Sequence, residues 1–375
     1  MIDYAAGGGG AERLAAGLAR SLPRDRFETW VCSTRSGPDG GGEPDPRDGV
    51  RYMSLERRTK WDLPRLRRLA DLMREQRFDV VHAHMHGSNA WASVFGSLYR
   101  VPVILAHEHN WSYADDRMRI LLDRWFISRL ATRFIAVSEA NRETMMRLEH
   151  IPDEKIIVLP TAYVPHDINR PLDLRADLGL PANSLLVGVA AYFREEKALD
   201  VLIRAMAIVT RQIPEAHLVI AGKGDCKAEL ERLVDDLTLR EHVHFLGSRR
   251  DVTSILDDVQ LGAMSSDWEG MPLFVFECMA THTPIVATNV GGLPEIVDNG
   301  ETGVLVPPRD PDALAAAISR LLTDPSYRDR LADAAGERLG QFTIERLTDR
   351  FAELYETLYE RATGHRGEPR SRVGA

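Results

Sequence analysis

Two carboxylates, Glu269 and Glu277, have seven residues between them and flank the start of an expected helix. Pro272 suits the first turn of that helix, where its missing N–H group costs nothing. Free backbone amides and the helix dipole make such a start an anion site, and a diphosphate fits that chemistry. Glu277 can then accept hydrogen bonds from ribose hydroxyls, while Glu269, on the preceding loop, can face the hydroxyls of a sugar. Two ordinary surface carboxylates near a helix start would show the same spacing, so the pair alone leaves both interpretations open.

Histidines alternate at His82, His84 and His86, and again at His107 and His109. Alternate residues of a strand lie on the same face, so a metal site is conceivable here. No carboxylate with the spacing of a metal motif accompanies these histidines. We therefore expect no metal site and no metal cofactor.

Two further short motifs have structural interpretations. The Gly-Lys-Gly run at 222–224 follows a strand, but it lacks the third glycine and the acidic residue of a dinucleotide site, so NAD binding is not expected. Asp310 and Asp312 resemble an Asp-x-Asp metal motif. They stand directly before an expected helix, and the pattern therefore predicts helix capping.

The composition excludes some classes of function. The formal net charge of the 375 residues is −9, which argues against nucleic acid as the main partner. Residues 1–165 hold 24 Lys and Arg against 22 Asp and Glu, whereas residues 166–375 hold 23 against 34. The more basic first part could meet an anionic lipid or a phosphorylated acceptor, although ordinary scatter is the simpler explanation.

Cysteine usage and hydropathy indicate the compartment. The three cysteines, Cys32, Cys226 and Cys278, are far apart and have no metal-ligand spacing, which fits a reduced compartment. No run approaches 18 apolar residues, and no signal peptide pattern precedes the fold. We expect a cytoplasmic protein that can associate peripherally with the inner face of the membrane.

Strand and helix patterns alternate in two successive arrays. The first covers residues 1–165, the second covers residues 166–343, and a last helix with a disordered tail from about 364 covers residues 344–375. Such arrays predict an α/β protein with two doubly wound, Rossmann-like domains facing across a cleft. Ligands bind outside the carboxyl ends of the strands in these sheets, so we expect the site in the cleft. The last helix should pack back on the first domain.

The start of the chain is unusual for this pattern. A glycine-rich turn that opens a helix normally follows a full buried strand. Only Met1 to Tyr4 precede the turn at Gly7–Gly10, so we expect either a start codon further upstream or a truncated first strand. The turn could bring backbone amides close to a diphosphate, or it could be a flexible loop without a chemical role.

In combination, these motifs resemble the retaining glycosyltransferases of family four, which have the GT-B fold. The segment 265–295 resembles their donor site, with Glu-x7-Glu, Glu-Gly before the helix and a Gly-Gly-x-Pro-Glu loop at 291–295. The segments GGAER (9–13), FDVVHAHMHGSNA (78–90) and FIAVSEANRE (134–143) extend the resemblance over nearly the whole chain. The resemblance implies transfer of a hexosyl group from a nucleotide-diphosphate sugar to a saccharide or lipid-linked acceptor, with retention of configuration and without a metal.

The resemblance also implies roles for individual residues. Glu269, Lys197 and His109 are the implied catalytic residues, with Lys197 on the diphosphate and His109 near the transferred sugar. The implied donor-binding residues are Gly9, Gly10, Arg194, Lys197, Gly270, Met271, Pro272, Leu273 and Glu277. No protein nucleophile is required, because attack on the front face lets a donor phosphate oxygen help remove the acceptor proton.

Two departures from the family pattern keep alternatives open. Tyr192 stands where the family usually has an arginine, with Arg194 close by, and PTAYV at 160–164 replaces the usual Pro-Asn-Gly. A catalytically impaired homologue that binds sugar nucleotides or acts as a scaffold is the second hypothesis. A sugar-nucleotide epimerase of the same architecture is the third, although Glu-x7-Glu followed by Gly-Gly-x-Pro-Glu fits a transferase better.

Two basic stretches could contact a membrane. The segment 57–77 has eight basic residues with Trp61, and 117–133 has five basic residues with Trp125 and Phe126. A helix with a basic face can lie on anionic lipid. Such helices more often cover a sheet, which is the competing interpretation.

Overall fold

The chain divides into two compact units in a computed structural model that describes residues 2–4, 9–35, 49–59, 62–109, 117–165 and 171–364. The first unit joins residues 1–164 to residues 342–375, and the second unit runs over residues 165–341. The chain therefore leaves the first unit once and returns to it for its last helix. The tail predicted to be disordered, at 365–375, lies outside the described residues, as do Gly7 and Gly8.

The first unit alternates strands with helices. Its strands are β1 (Ile2–Tyr4), β2 (Trp30–Arg35), β3 (Arg51–Ser54), β4 (Val80–His84), β5 (Val103–Glu108), β6 (Arg133–Ala136) and β7 (Ile156–Val158). Its helices before the second unit are α1 (Gly10–Ser21), α2 (Leu63–Gln76), α3 (His86–Leu98), α4 (Arg117–Leu122), α5 (Ser128–Leu130) and α6 (Glu139–Thr144). Two π-helical stretches, Asp123–Ile127 and Met145–Glu149, continue α4 and α6.

The strands of this unit pair in two parallel ladders, β1–β2–β3 and β4–β5–β6–β7. In the described part of the chain, no ladder joins β1 to β4. The first unit therefore contains a three-stranded and a four-stranded sheet instead of the single sheet expected. β1 is short, and its three residues pair with the end of β2, at Ser33 and Arg35.

Both faces of β5 are covered by helices. Leu105 packs in a cluster with Leu14 of α1, and Ile104 packs in another with Leu69 of α2. Neighbouring residues of a strand point to opposite faces, so helices must cover both sides of the sheet. This is the doubly wound arrangement that the near-continuous apolar strands predicted.

The second unit holds one parallel sheet with the strand order β10–β9–β8–β11–β12–β13. Its strands are β8 (Leu185–Ala190), β9 (Ala216–Ala221), β10 (Val243–Gly247), β11 (Leu261–Met264), β12 (Ile285–Thr288) and β13 (Val304–Val306). Its helices are α7 (Leu174–Asp177), α8 (Leu199–Gln212), α9 (Lys227–Asp236), α10 (Val252–Asp258), α11 (Leu273–Ala280), α12 (Leu293–Ile296), α13 (Pro311–Thr323) and α14 (Pro325–Leu339). The direction of winding changes between β8 and β11, and this switch point opens a crevice at the carboxyl ends of the strands.

Helix α15 (Ile344–Thr363) completes the core of the first unit. Its buried Phe351 and Tyr355 lie in the same cluster as Leu14 and Leu105. The backbone N–H of Tyr163 donates to the carbonyl oxygen of Phe342 at 2.8 Å. This bond holds together the two points at which the chain leaves and re-enters the unit.

Two side chains cap helices, and the cap at Asp310 confirms a prediction. The N–H of Asn141 donates to Ser138 Oγ at 3.0 Å, and the N–H of Ala313 donates to Asp310 Oδ1 at 2.9 Å. The structural interpretation of Asp310 is therefore supported over the metal motif. Among the described helices, none is both long and apolar enough to cross a membrane.

Candidate functional site

The switch point of the second unit brings Lys197 and Glu269 into direct contact. Lys197 Nζ donates to Glu269 Oε1 at 2.7 Å, and Ser266 Oγ donates to the same oxygen at 2.6 Å. The Glu269 side chain is only 4% exposed and that of Lys197 is 18% exposed. Hydrogen bonds between ionised groups are about twice as strong as neutral ones, so this pair is fixed in place.

The loops that carry the two side chains are bonded to one another. Ser265 Oγ donates to the carbonyl oxygen of Ala198 at 2.8 Å, and the N–H of Asp267 donates to the carbonyl oxygen of Glu196 at 2.9 Å. These loops follow β8 and β11, which are neighbours in the sheet. The fold therefore positions Lys197 and Glu269 through the backbone as well as through their own ion pair.

The predicted Gly-Gly-x-Pro-Glu loop supports Glu269 from the other side. Gly291 has a φ of +54°, and a Cβ atom placed there would lie 1.8 Å from the carbonyl oxygen of Glu269. The N–H of Gly292 lies 3.2 Å from that oxygen and 3.1 Å from the carbonyl oxygen of Gly270. Gly291 is thus needed both for its backbone conformation and for the close approach of two loops.

Helix α11 begins one residue later than predicted. Pro272 occupies the cap position before the helix, with φ −74° and ψ 130°, and Leu273 is the first helical residue. Gly270 and Met271 are buried in the loop that leads to it, and Glu277 lies one turn into the helix and is buried as well. The prediction that residues 270–273 form a helix start directly after Glu269 agrees with this geometry.

Arg194 stands apart from the Lys197–Glu269 pair. Its guanidinium lies 5.5 Å from the centre of the Tyr192 ring and 3.7 Å from the Glu196 carboxylate. Tyr192, at the position of the usual family arginine, is 42% exposed. The structure therefore places Arg194 on the loop after β8 but joins it to its sequence neighbours instead of to Glu269.

Sequence reasoning missed the role of the glycines in the Gly-Lys-Gly run at 222–224. A Cβ atom on Gly222 would lie 1.9 Å from the Ala191 carbonyl oxygen, and one on Gly224 would lie 2.4 Å from the Phe193 carbonyl oxygen. The N–H of Phe193 donates to the carbonyl oxygen of Lys223 at 2.9 Å. These glycines let the loop after β9 support the loop that leads to Lys197.

Ser266 was also missed, and its only signal was its position three residues before Glu269.

Four histidines of the first unit form a cluster at the ends of β4 and β5, in which His84 and His107 are buried and the other two are half-buried. His82 Nε2 lies 3.1 Å from His107 Nδ1, and His84 Nδ1 lies 2.9 Å from His109 Nε2. Tyr355 Oη lies 2.7 Å from His82 Nδ1. The predicted position of His109 after β5 holds, and its ring is hydrogen-bonded to His84.

The prediction that His86 shares the alternating face is wrong. Met85 has a φ of +73°, which ends the strand pattern, and His86 is the first residue of α3. Its Nδ1 contacts Asp123 Oδ1 at 3.0 Å. In the described residues, nitrogen atoms of His82, His84 and His107 lie within 4.8 Å of one another, a spacing that a metal could bridge.

Burial makes the imidazoles of this cluster hard to protonate. Desolvation lowers the pKa of His109 to about 3, and it lowers the pKa of His82, His84 and His107 well below 6.5. The neighbouring imidazoles lower the last three further, because protonated rings would repel one another. At neutral pH all four rings are uncharged, so His109 can position or polarise but does not carry a positive charge.

We expect the first unit to lose stability as the pH falls below 6.5. An unfolded histidine takes up a proton near pH 6.5, whereas folded His109 does so only near 3. Protons therefore favour the unfolded state throughout this window, and His109 alone should cost about 2 kcal/mol at pH 5. Urea unfolding at a series of pH values measures this loss. The variant His109→Asn should show a shallower pH slope, and an unchanged slope would contradict the assignment.

Two family profiles match the chain. The profile described as Glycosyltransferase Family 4 matches residues 8–165, and the profile described as Glycosyl transferases group 1 matches residues 172–338. Two Rossmann-like units in one chain, with these matches, define a glycosyltransferase of the GT-B class. The chain belongs to family four of these enzymes.

Relatives and solved structures agree with this assignment. The alpha-D-kanosaminyltransferase of Streptomyces kanamyceticus is 28% identical over 74% of this chain and 77% of its own length. The UDP-Gal:alpha-D-GlcNAc-diphosphoundecaprenol alpha-1,3-galactosyltransferase of Escherichia coli is 25% identical over 92% of this chain and 93% of its own. The crystal structure of Anabaena HepE with UDP and glucose superposes with a TM-score of 0.80 at 21% identity, covering 95% of this chain and 98% of that one.

Proposed function

We propose that this glycosyltransferase moves a hexosyl group from a nucleotide-diphosphate sugar to a saccharide or lipid-linked acceptor with retention of anomeric configuration. The observation that carries the proposal is the contact of Lys197 with Glu269 at the switch point, directly before α11. A cation and a carboxylate side by side suit a ligand that has an anionic part and a hydroxyl-rich part. A nucleotide sugar is such a ligand.

The donor diphosphate would lie at the start of α11, where the helix dipole and backbone amides favour an anion. Lys197 would share its charge between the diphosphate and Glu269, and it would stabilise the negative charge that develops as the sugar leaves. Glu269 would hold sugar hydroxyls, and Glu277 would hold the ribose.

Retention follows from a front-face reaction. The bond from the anomeric carbon to the diphosphate oxygen breaks, and the acceptor oxygen bonds to the same face of that carbon. The proton of the acceptor hydroxyl passes to the leaving phosphate. Lys197 supports this route because it supplies a cation for the leaving group, and the proposal uses neither a protein nucleophile nor a metal.

The names of the relatives suggest which donor to test first. The Escherichia coli relative is named for UDP-galactose and a diphosphoundecaprenol-linked acceptor, and the HepE crystals hold UDP and glucose. We therefore propose a uridine nucleotide as the carrier. A lipid-linked saccharide in polysaccharide assembly is the proposed acceptor class.

Nucleotide release from a panel of UDP-, GDP- and ADP-sugars tests the proposal. We expect one donor to be hydrolysed slowly by the purified protein and faster after a crude lipid extract is added. Glu269→Ala should abolish release, whereas Glu301→Ala, on an exposed turn of the same unit, should not. The anomeric proton coupling of the product then reports retention, and an inverted product would overturn that part of the proposal.

The exposed Tyr192 favours one alternative, a sugar-nucleotide-binding homologue with impaired catalysis. Such a protein would bind one nucleotide tightly and release none, with or without acceptor. Conversion of the donor sugar without any acceptor would instead indicate an epimerase. Neither outcome is expected from the transferase.

A further inference from the structure

The helix at 117–130 in the first unit buries the charged residues Arg119 and Asp123 and exposes most of its large hydrophobic residues. Surface helices normally show the opposite pattern, with apolar side chains toward the core. Five large hydrophobic residues face solvent: Met118 (67% exposed), Leu121 (48%), Leu122 (40%), Trp125 (52%) and Phe126 (42%). We call these five residues the apolar face. Nine large hydrophobic side chains are strongly exposed in the described chain, so more than half of them belong to one short helix.

Buried charges fix this orientation. Arg119 Nη2 donates to Glu108 Oε2 at 2.9 Å, and both side chains are almost fully buried. Asp123, equally buried, contacts His86 on α3. A rotation of the helix about its axis that buried the apolar face would break these contacts. Breaking a buried ion pair costs several kcal/mol. The apolar face is therefore held toward solvent.

Three arginines of the same helix accompany the apolar face. Arg117 and Arg129 are exposed near its two ends, and the guanidinium of Arg124 lies 4.9 Å from the centre of the Trp125 ring. The acidic residue of the helix, Asp123, points inward. The exposed positions of the helix thus present apolar, aromatic and arginine side chains without a carboxylate.

We propose that the apolar face docks onto the surface of an anionic lipid bilayer. Aromatic and aliphatic side chains would enter the boundary between headgroups and acyl chains, and the arginines would contact lipid phosphates. A two-fold dimer is the weaker alternative, because the same patch would meet itself and bring arginines against arginines. The proposal does not depend on the transfer reaction, since docking needs no nucleotide sugar.

Cosedimentation with vesicles tests the proposal on the full chain. We expect binding to vesicles of phosphatidylglycerol mixed with phosphatidylcholine, and much weaker binding to phosphatidylcholine alone. The double variant Trp125→Ser with Phe126→Ser should weaken binding by about tenfold or more, because it removes aromatic area from the interface. Its fold should survive, because both side chains are exposed, and circular dichroism checks this.

Matched controls separate the apolar and the charged contributions. Leu98→Ser removes a leucine that is 64% exposed at the end of α3, outside the apolar face, and should leave binding unchanged. Arg117→Glu with Arg129→Glu should abolish the preference for anionic lipid, whereas Lys227→Glu with Arg232→Glu, on exposed positions of α9, gives the same change of net charge without that effect. Three results would overturn the proposal: no vesicle binding, equal binding to both vesicle types, or a dimer in light scattering that the Trp125 and Phe126 variant dissolves.

Discussion

Glu269→Gln should lower the rate of sugar transfer by about a hundredfold or more and leave the second unit folded. The amide has the size of the carboxylate, and its oxygen can still accept from Ser266 and Lys197. It lacks the negative charge that strengthens both bonds and that would hold the sugar hydroxyls as the transition state forms. Steady-state kinetics with the donor identified in the panel, together with thermal unfolding, measures both effects.

The loss from Glu269→Gln should fall mainly on kcat, because an interaction made in the transition state is removed. Glu301→Gln serves as the control and should match the wild type. A Glu269→Gln enzyme with near-normal kcat would remove Glu269 from the proposed site. A large drop in the unfolding temperature would instead show that the carboxylate is mainly structural.

Gly291→Ala should reduce activity by about a hundredfold although Gly291 itself is not proposed to touch the donor. The new methyl group would lie 1.8 Å from the carbonyl oxygen of Glu269, so the loop that carries Glu269 must move. The positive φ and the overlap together should cost about 3 kcal/mol of unfolding free energy. Urea unfolding and transfer assays on the same preparation measure the two losses.

Gly300→Ala provides the matched control. Gly300 has a φ of +81°, but a Cβ atom there meets nothing within 4 Å. Its substitution should cost only about 1 kcal/mol and leave activity unchanged. If the two variants lose the same stability and the same activity, the contact between Gly291 and Glu269 has no special role.

The long, apolar elements could be predicted from sequence, and the short ones could not. The apolar runs LLVGVAAY (185–192) and AHLVIAG (216–222) predict strands, and the structure has strands at Leu185–Ala190 and Ala216–Ala221. β3 was missed because its four residues, RYMS, are partly exposed and follow a stretch of Gly, Pro and Asp. β13 and α12 were missed because three or four residues are too few to show a period.

At the site, too, residues could be predicted from their neighbours in sequence, whereas contacts between distant residues could not. Lys197 and Glu269 could be found because their neighbours in sequence match a family pattern. Their mutual contact could not, because it depends on two loops that are 72 residues apart in sequence. The glycines at 222 and 224 form only part of a dinucleotide motif, and the packing of backbone on backbone explains them. The sequence showed that the helix at 117–130 is basic and aromatic, but not which of its side chains face solvent, because the partners of Arg119 and Asp123 determine that.

The place of α15 in the fold sets the order in which the protein can mature during synthesis. Residues 165–341 are continuous, so the second unit can complete its sheet while the last helix is still being made. The first unit, although synthesised earlier, lacks Phe351 and Tyr355 of its core until the ribosome has completed α15. Maturation therefore runs against the direction of translation, and the nascent first unit keeps an open apolar surface that a chaperone can occupy until α15 arrives.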